Sequence, residues 1–280
     1  NGFYSQTFIW PAIGQLSLIG ESMDSTIIDG EANNNTIINN YDINYYPKEI
    51  SNLTIQNGET PYKGGGINLK MTGEILLKNL IIRDNHADIG GGVYIEGQGS
   101  ESFFQTIITF ENVIMNNNYA EDRGGAIALD GAFISSIMKH VTIVNNNAGN
   151  VGGGISTGSI GDYAVIVNSI FWNNQPSNIN GMVFPYFSNI DVPLGSNNIT
   201  ADPQFLNGSE NFHLNENSPC IDAGTDFLEV DLAGFMLPGI TPDTIINLND
   251  QDYYGAAPDM GATETEFILN IENELLPNNF

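Results

Sequence analysis

The strongest constraint in this chain is an internal repeat. The stretch "NNNYAEDRGGAIALDG" (116–131) runs from asparagines through a short acidic loop and two glycines into alternating apolar residues. "DNHADIGGGVYIEG" (84–97), "NNNAGNVGGGISTG" (145–158) and a weaker copy, "QNGETPYKGGGINLK" from Gln56, carry the same order. The β-branched segments that open each copy begin at Asn52, Asn79, Asn112, His140 and Asn168, spaced by 27, 33, 28 and 28 residues. A unit that short is one coil and not a domain. Within each copy Ile67 and Leu69, Val93 and Ile95, Ile127 and Leu129, and Ile155 and Thr157 alternate against Asn68, Tyr94, Ala128 and Ser156, the period-2 pattern of a strand. No apolar stripe with a 3.6-residue period interrupts them, so turns and not helices connect the strands. The expected fold class is all-β, a parallel β-solenoid of about nine or ten coils.

Stacked coils repeat every 4.8 Å or so, and equivalent positions form ladders. Asn85, Asn118, Asn147 and Asn174 are expected to align at one corner, each amide donating to the next coil. Gly91, Gly125 and Gly153 mark a second corner that needs positive φ or close approach between layers.

Charge sets a second bound. With 7 basic against 33 acidic residues the net charge is −26. Phosphate backbones are held by clustered Lys and Arg, so nucleic acid is excluded as a partner. No run of 18 apolar residues is present, so no membrane-spanning helix is expected. The single cysteine, Cys220, forms no internal disulfide and reads as a buried structural thiol.

Particular residues carry a family resemblance. In "ADPQFLNGSENFHLNENSPCIDAGT" (201–225), Asp202, Pro203, Phe205, Phe212, Leu214, Ser218, Pro219, Cys220, Ile221, Asp222 and Gly224 follow the order D-P-x-F, F-x-L, S-P-C-I-D-x-G. With "PDMGATE" (258–264), this resembles the terminal module of secreted bacterial right-handed parallel β-helix proteins. "LIGESMDSTIIDG" (18–30) resembles their first coil. The "GGGI" and "GGAI" copies with "FWNN" resemble the repeats of chlamydial polymorphic outer-membrane adhesins. "ENELLPNNF" (272–280) is similar to the linker preceding the sorting domain of type IX secretion cargo, and "DST" (24–26) and "DTI" (243–245) fit the O-glycosylation tripeptide of those bacteria. The resemblance implies a secreted, extracellular or cell-surface protein. It also implies one β-helix domain over 1–264, with the terminal module at 201–264 and a strand or linker at 265–280.

The fold also hosts polysaccharide-degrading enzymes, so catalysis has to be argued from residues. The N-T-D, D-D, G-H-G and R-I-K strings of polygalacturonase-like hydrolases are absent, as is the D-F-I-x-G of pectin-esterase-like sites. A lyase would need converging cations; Lys63 and Arg123 lie two coils apart, about 10 Å, a spacing suited to gripping an anionic chain and not to one catalytic cluster. Arg83 stacks in a column with Asn116, Val144 and Trp172 that reads as surface. No catalytic residue and no required cofactor is assigned. Asp88, Glu121, Asp122 and Asn150 would bring oxygen ligands together across coils, a pattern suited to Ca²⁺, and Glu96 and Asp130 form a similar stacked pair. Tyr94, Tyr119 and Trp172 are candidate platforms for surface glycans.

The function these features suggest is an extracellular structural or adhesive β-helix. A polysaccharide-active lyase or hydrolase and a non-catalytic glycan-binding module are the alternatives. Self-association is a further expectation. Relatives by resemblance begin with a Val/Ile-rich strand leading into G-x-Y, whereas this chain starts at "NGFY"; the alternating run "TEFILNIENEL" (265–275) could pair end to end with such an edge in another copy.

Overall fold

The structure, a computed structural model, describes residues 2–5, 7–11, 16–40, 47–71, 73–98, 106–158, 161–191, 195–206, 212–231 and 243–265. The expected C-terminal strand beyond Thr265 and most of the turn at 98–104 lie outside them. The described chain contains no helix and coils into a parallel β-solenoid of about six turns. The count falls short of nine or ten because the described residues of 201–264 do not continue the coil. They form turns, an antiparallel bridge between Phe205 and Leu214, and the antiparallel pair Phe227–Val230 with Asp243–Asn247.

Three parallel sheets wall the solenoid. The first contains Glu49–Gln56, Gly73–Arg83, Thr106–Asn116 and Ile134–Val144 side by side. The second aligns Ile67–Met71, Val93–Gln98, Ile127–Ala132 and Ile155–Thr157. The third is short: His86–Ile89, Tyr119–Arg123 and Asn147–Ala148. In the second sheet Val93, Ile127 and Ile155 stack in register, one coil above another, and all are fully buried. Leu80, Val113 and Val141 do the same in the first. The third wall contributes only alanines to the interior, Ala87, Ala120 and Ala148. Because every coil repeats the same inward set, the core is one continuous column, the packing a solenoid needs when each turn buries its face only against its neighbours.

The asparagine corner is built one residue away from its expected register. Asn85, Asn118, Asn146 and Asn174 form the ladder, and Asn147 stands exposed on the third sheet opposite Tyr119. The amides donate upward in series at 3.0, 2.9 and 2.9 Å, and Asn174 donates to Asn178 at 2.7 Å. Each backbone N–H along the series donates to the same oxygen as its own amide. The glycine corner divides its two demands between neighbours. Positive φ falls on Gly90, Gly124 and Gly152, whereas Gly91, Gly125 and Gly153 serve close approach. A Cβ on Gly125 would lie 2.5 Å from the carbonyl oxygens of both Asn147 and Gly153.

Two further columns hold the left-handed conformation without glycine: Asn52, Asn79, Asn112, His140 and Asn168, and Asn57, Asp84, Asn117, Asn145 and Asn173. Asn and Asp tolerate that region because their short polar side chains bond locally. Here they also bond across coils, Asn79 to Asn52 at 2.9 Å and Asn173 to Asn145 at 2.7 Å.

Candidate functional site

The glycine turns fold back over the outward side of the second sheet and cover it. A Cβ on Gly90 would sit 3.0 Å from that of Tyr94, and one on Gly124 would sit 2.7 Å from that of Ala128. Tyr94 is therefore 1% exposed and unable to stack on a glycan, which corrects the sequence expectation. Its hydroxyl accepts from Lys63 Nζ at 2.5 Å and donates to Asp130 at 3.2 Å. Burial, with the charges of Asp130 and Glu96, pushes its ionisation upward.

The stacked Glu96 and Asp130 are matched by cations of the chain itself. Lys70 reaches Glu96 at 3.0 Å, and Arg123 spans Asp122 and Asp130 at 2.8 Å each. Lys63 and Arg123, the cations spaced to grip an anionic chain, are thus both turned onto their own carboxylates.

On the third sheet, Tyr119 is half-buried beside His86, ring centroids 5.0 Å apart, and both bond Glu121 at 3.2 and 3.0 Å. The oxygen set considered for Ca²⁺ is therefore divided. Glu121 faces His86, Asp122 is held by Arg123 and by the Asn150 amide at 2.7 Å, and Asp88 is exposed. Among the described residues no group of three or more His, Cys, Asp or Glu side chains is placed to hold a metal ion.

The terminal module covers the column read as surface. Val144 and Ile114 are buried against Phe212 and Ala262, and Trp172 packs into the same seam beside Phe205. Asn116 is 5% exposed and Val144 1%. Trp172 is consequently a docking residue, not a free glycan platform. The motif residues of the module act as clamps. Ser218 donates to the Pro203 carbonyl at 2.6 Å, Asp259 accepts from the amides of Asp222 and Thr265 at 2.9 Å each, and Asp222 accepts from Ala256 at 2.8 Å. Cys220 is fully buried, receives the Asn189 amide at 3.2 Å, and has its thiol pushed up to about 11 by burial.

Where the module meets the first sheet, a cleft of about 290 Å³ remains, which sequence reasoning missed. Glu111, Asn112, Lys139 and His140 form its coil side, and Asp252, Glu264 and residues 245–248 its module side. Glu111 is held between Lys78 at 2.5 Å and Lys139 at 3.1 Å, its neighbours in adjacent coils. Burial disfavours its charged form, but the two ammonium groups outweigh that and hold its carboxyl below the usual range.

His140 occupies the left-handed column otherwise made of asparagines and approaches the Asn168 amide at 3.4 Å. Burial pushes its imidazole down to about 4, against the opposing charge of Glu111, so it is neutral at pH 7. Glu264 accepts from the amides of Tyr254 and Asp259 at 3.2 Å each, and burial with the nearby Asp259 charge pushes it up to about 7. The only sequence signal for this cleft was a histidine at the asparagine position of the repeat. Its other wall comes from about 100 residues downstream.

No protein-family profile matches the chain, and neither the curated proteins nor the solved structures contain a match to it.

Proposed function

We propose that this chain is a structural or adhesive β-solenoid displayed outside the cell, which associates with further copies through its first coil. The observation that carries this reading is where the polar side chains are spent. Among the described residues Lys63, Lys70, Lys78, Arg83, Arg123 and Lys139 pair with the chain's own carboxylates, and buried amide ladders bond each coil to the next. Most of the charge needed to seize an acidic polysaccharide is thus used in holding the rod together.

The first coil has a different character. Among the described residues Phe3, Tyr4, Ile9, Leu16 and Ile19 are exposed. No charged side chain occurs in residues 1–20 of a chain with net charge −26. Two copies repel least where neither carries charge, and a patch of exposed apolar side chains favours burial against another such patch. Secretion by a type IX route is the finer form of the proposal and is supported by the terminal-module and linker resemblance alone.

Analytical ultracentrifugation over a concentration series tests the association. Mass should rise with concentration, and Ile9→Lys with Phe3→Lys should abolish the rise. A concentration-independent monomer would refute it. Protease accessibility on intact producing cells tests the location.

A further inference from the structure

The cleft between the first sheet and the terminal module has no part in the reading above, and its lining carries charged groups of both signs. We infer that it is a binding site for an uncharged saccharide. The argument runs by charge. An anionic ligand would meet Asp252 and Glu264 in a molecule of net charge −26. A cationic ligand would meet the Lys139 ammonium in the same wall. A neutral molecule rich in hydroxyl groups suits both signs at once, because carboxylates and the Asn112 amide oxygen accept from hydroxyls while the ammonium and amide N–H groups donate to them.

Preorganisation supports the same conclusion. Two ammonium groups hold Glu111, two backbone amides hold Glu264, and His140 is packed at its corner beside Asn168. Groups held in place before the ligand arrives cost little ordering entropy on binding. Asn112 and Asp252 are exposed at the mouth, so a ligand can reach the cleft without moving the module. Ile245, Ile246 and Leu248 also line the cleft. These apolar residues would lie against the C–H face of a sugar ring.

His140 provides a local reporter, since the chain has only 3 histidines. The full chain would be titrated with methyl glycosides of glucose, galactose, mannose and N-acetylglucosamine while the imidazole signals are followed by NMR. Galacturonate and glucosamine serve as the anionic and cationic comparisons. At least one neutral glycoside should shift the His140 signal saturably and leave His86 and His213 unmoved. Asn112→Gly keeps the left-handed corner and removes the amide. It should weaken binding about fivefold, the effect of one lost hydrogen bond. The inference is overturned if no neutral glycoside moves His140, if a charged comparison saturates at lower concentration, or if Asn112→Gly binds unchanged. Because the cleft is remote from the first coil in sequence and contact, Ile9→Lys should leave the titration intact, so failure of self-association and failure of this site remain distinguishable.

Discussion

Replacing Asn146 and Asn147 one at a time separates the ladder register observed from the register the repeat first suggests. Asn146 is 1% exposed, and its oxygen accepts the Asn118 backbone N–H and the Asn118 amide at 2.9 Å each. Its own amide donates to the carbonyls of Met115 and Val144 and to Asn174. Asn146→Ala therefore strands two buried donors on Asn118. At about 1–3 kcal/mol for each orphaned group, the expected loss is about 4 kcal/mol. Thermal melting should fall by about 10 °C, taking 2–4 °C per kcal/mol for a chain of this size class. Asn146→Asp preserves the shape but turns an oxygen toward three carbonyl-type acceptors, so it should destabilise at least as much. Asn147→Ala removes an exposed side chain and should stay within about 0.5 kcal/mol of the parent. Differential scanning calorimetry on the four proteins checks this. Equal shifts for Asn146→Ala and Asn147→Ala, or a shift under 2 °C for Asn146→Ala, would refute the assignment of the ladder as a buried, satisfied network.

Three further outcomes follow from the same geometry. His140 has a folded value near 4, below its ordinary 6.5, so the unfolded chain binds the extra proton first; its contribution to stability is full above pH 6.5 and is lost as pH falls toward 4. His140→Asn, which restores the residue type of the column, should flatten the acid side of a melting-temperature profile, and an unchanged slope between pH 6.5 and 4 would contradict this. Glu264 behaves oppositely. Its folded value near 7 lies above the ordinary 4.5, so its contribution is present below pH 4.5 and is lost as pH rises through 7; Glu264→Gln should gain stability relative to the parent at pH 8 and not at pH 4 in the same measurement. Gly124→Ala would force a side chain into φ +68° with its Cβ 2.4 Å from the Ile127 carbonyl oxygen, and should lose about 2 kcal/mol or more in urea denaturation. A neutral result would show that the turn relaxes at little cost.

The parallel solenoid was legible in the sequence because its cause is local and repeated. β-branched residues in alternation, closed by Asn and Gly at a spacing near 28, can bury their apolar side only against copies of themselves. Asn85, Asn118 and Asn174 were readable for that reason. Asn146 was not, because "NNNA" offers three adjacent asparagines and period alone does not say which one points inward. The left-handed columns were present in the sequence as the residue opening each "NLII" or "NVIM" run, but a polar residue there also reads as an ordinary turn.

Tyr94 and Trp172 sit at outward positions of their strands, as alternation demands, and are nevertheless covered, one beneath a glycine turn and the other beneath the terminal module. Alternation determines only which side of a sheet a residue takes. What lies on that side depends on segments that come from elsewhere in the chain, and the cleft shows this most fully. Glu111 and Glu264 are 153 residues apart and line one cleft because the module is seated on the coil, where Ala262 donates its amide to Thr142 and Gly261 donates its own to Asn168. The sequence by itself determined the coil, its inward face and its acidic surface, since these follow from neighbours a few residues or one repeat away. Tertiary structure alone decided which polar groups share a wall and which titrate abnormally, because both depend on burial by distant segments for which no periodicity codes.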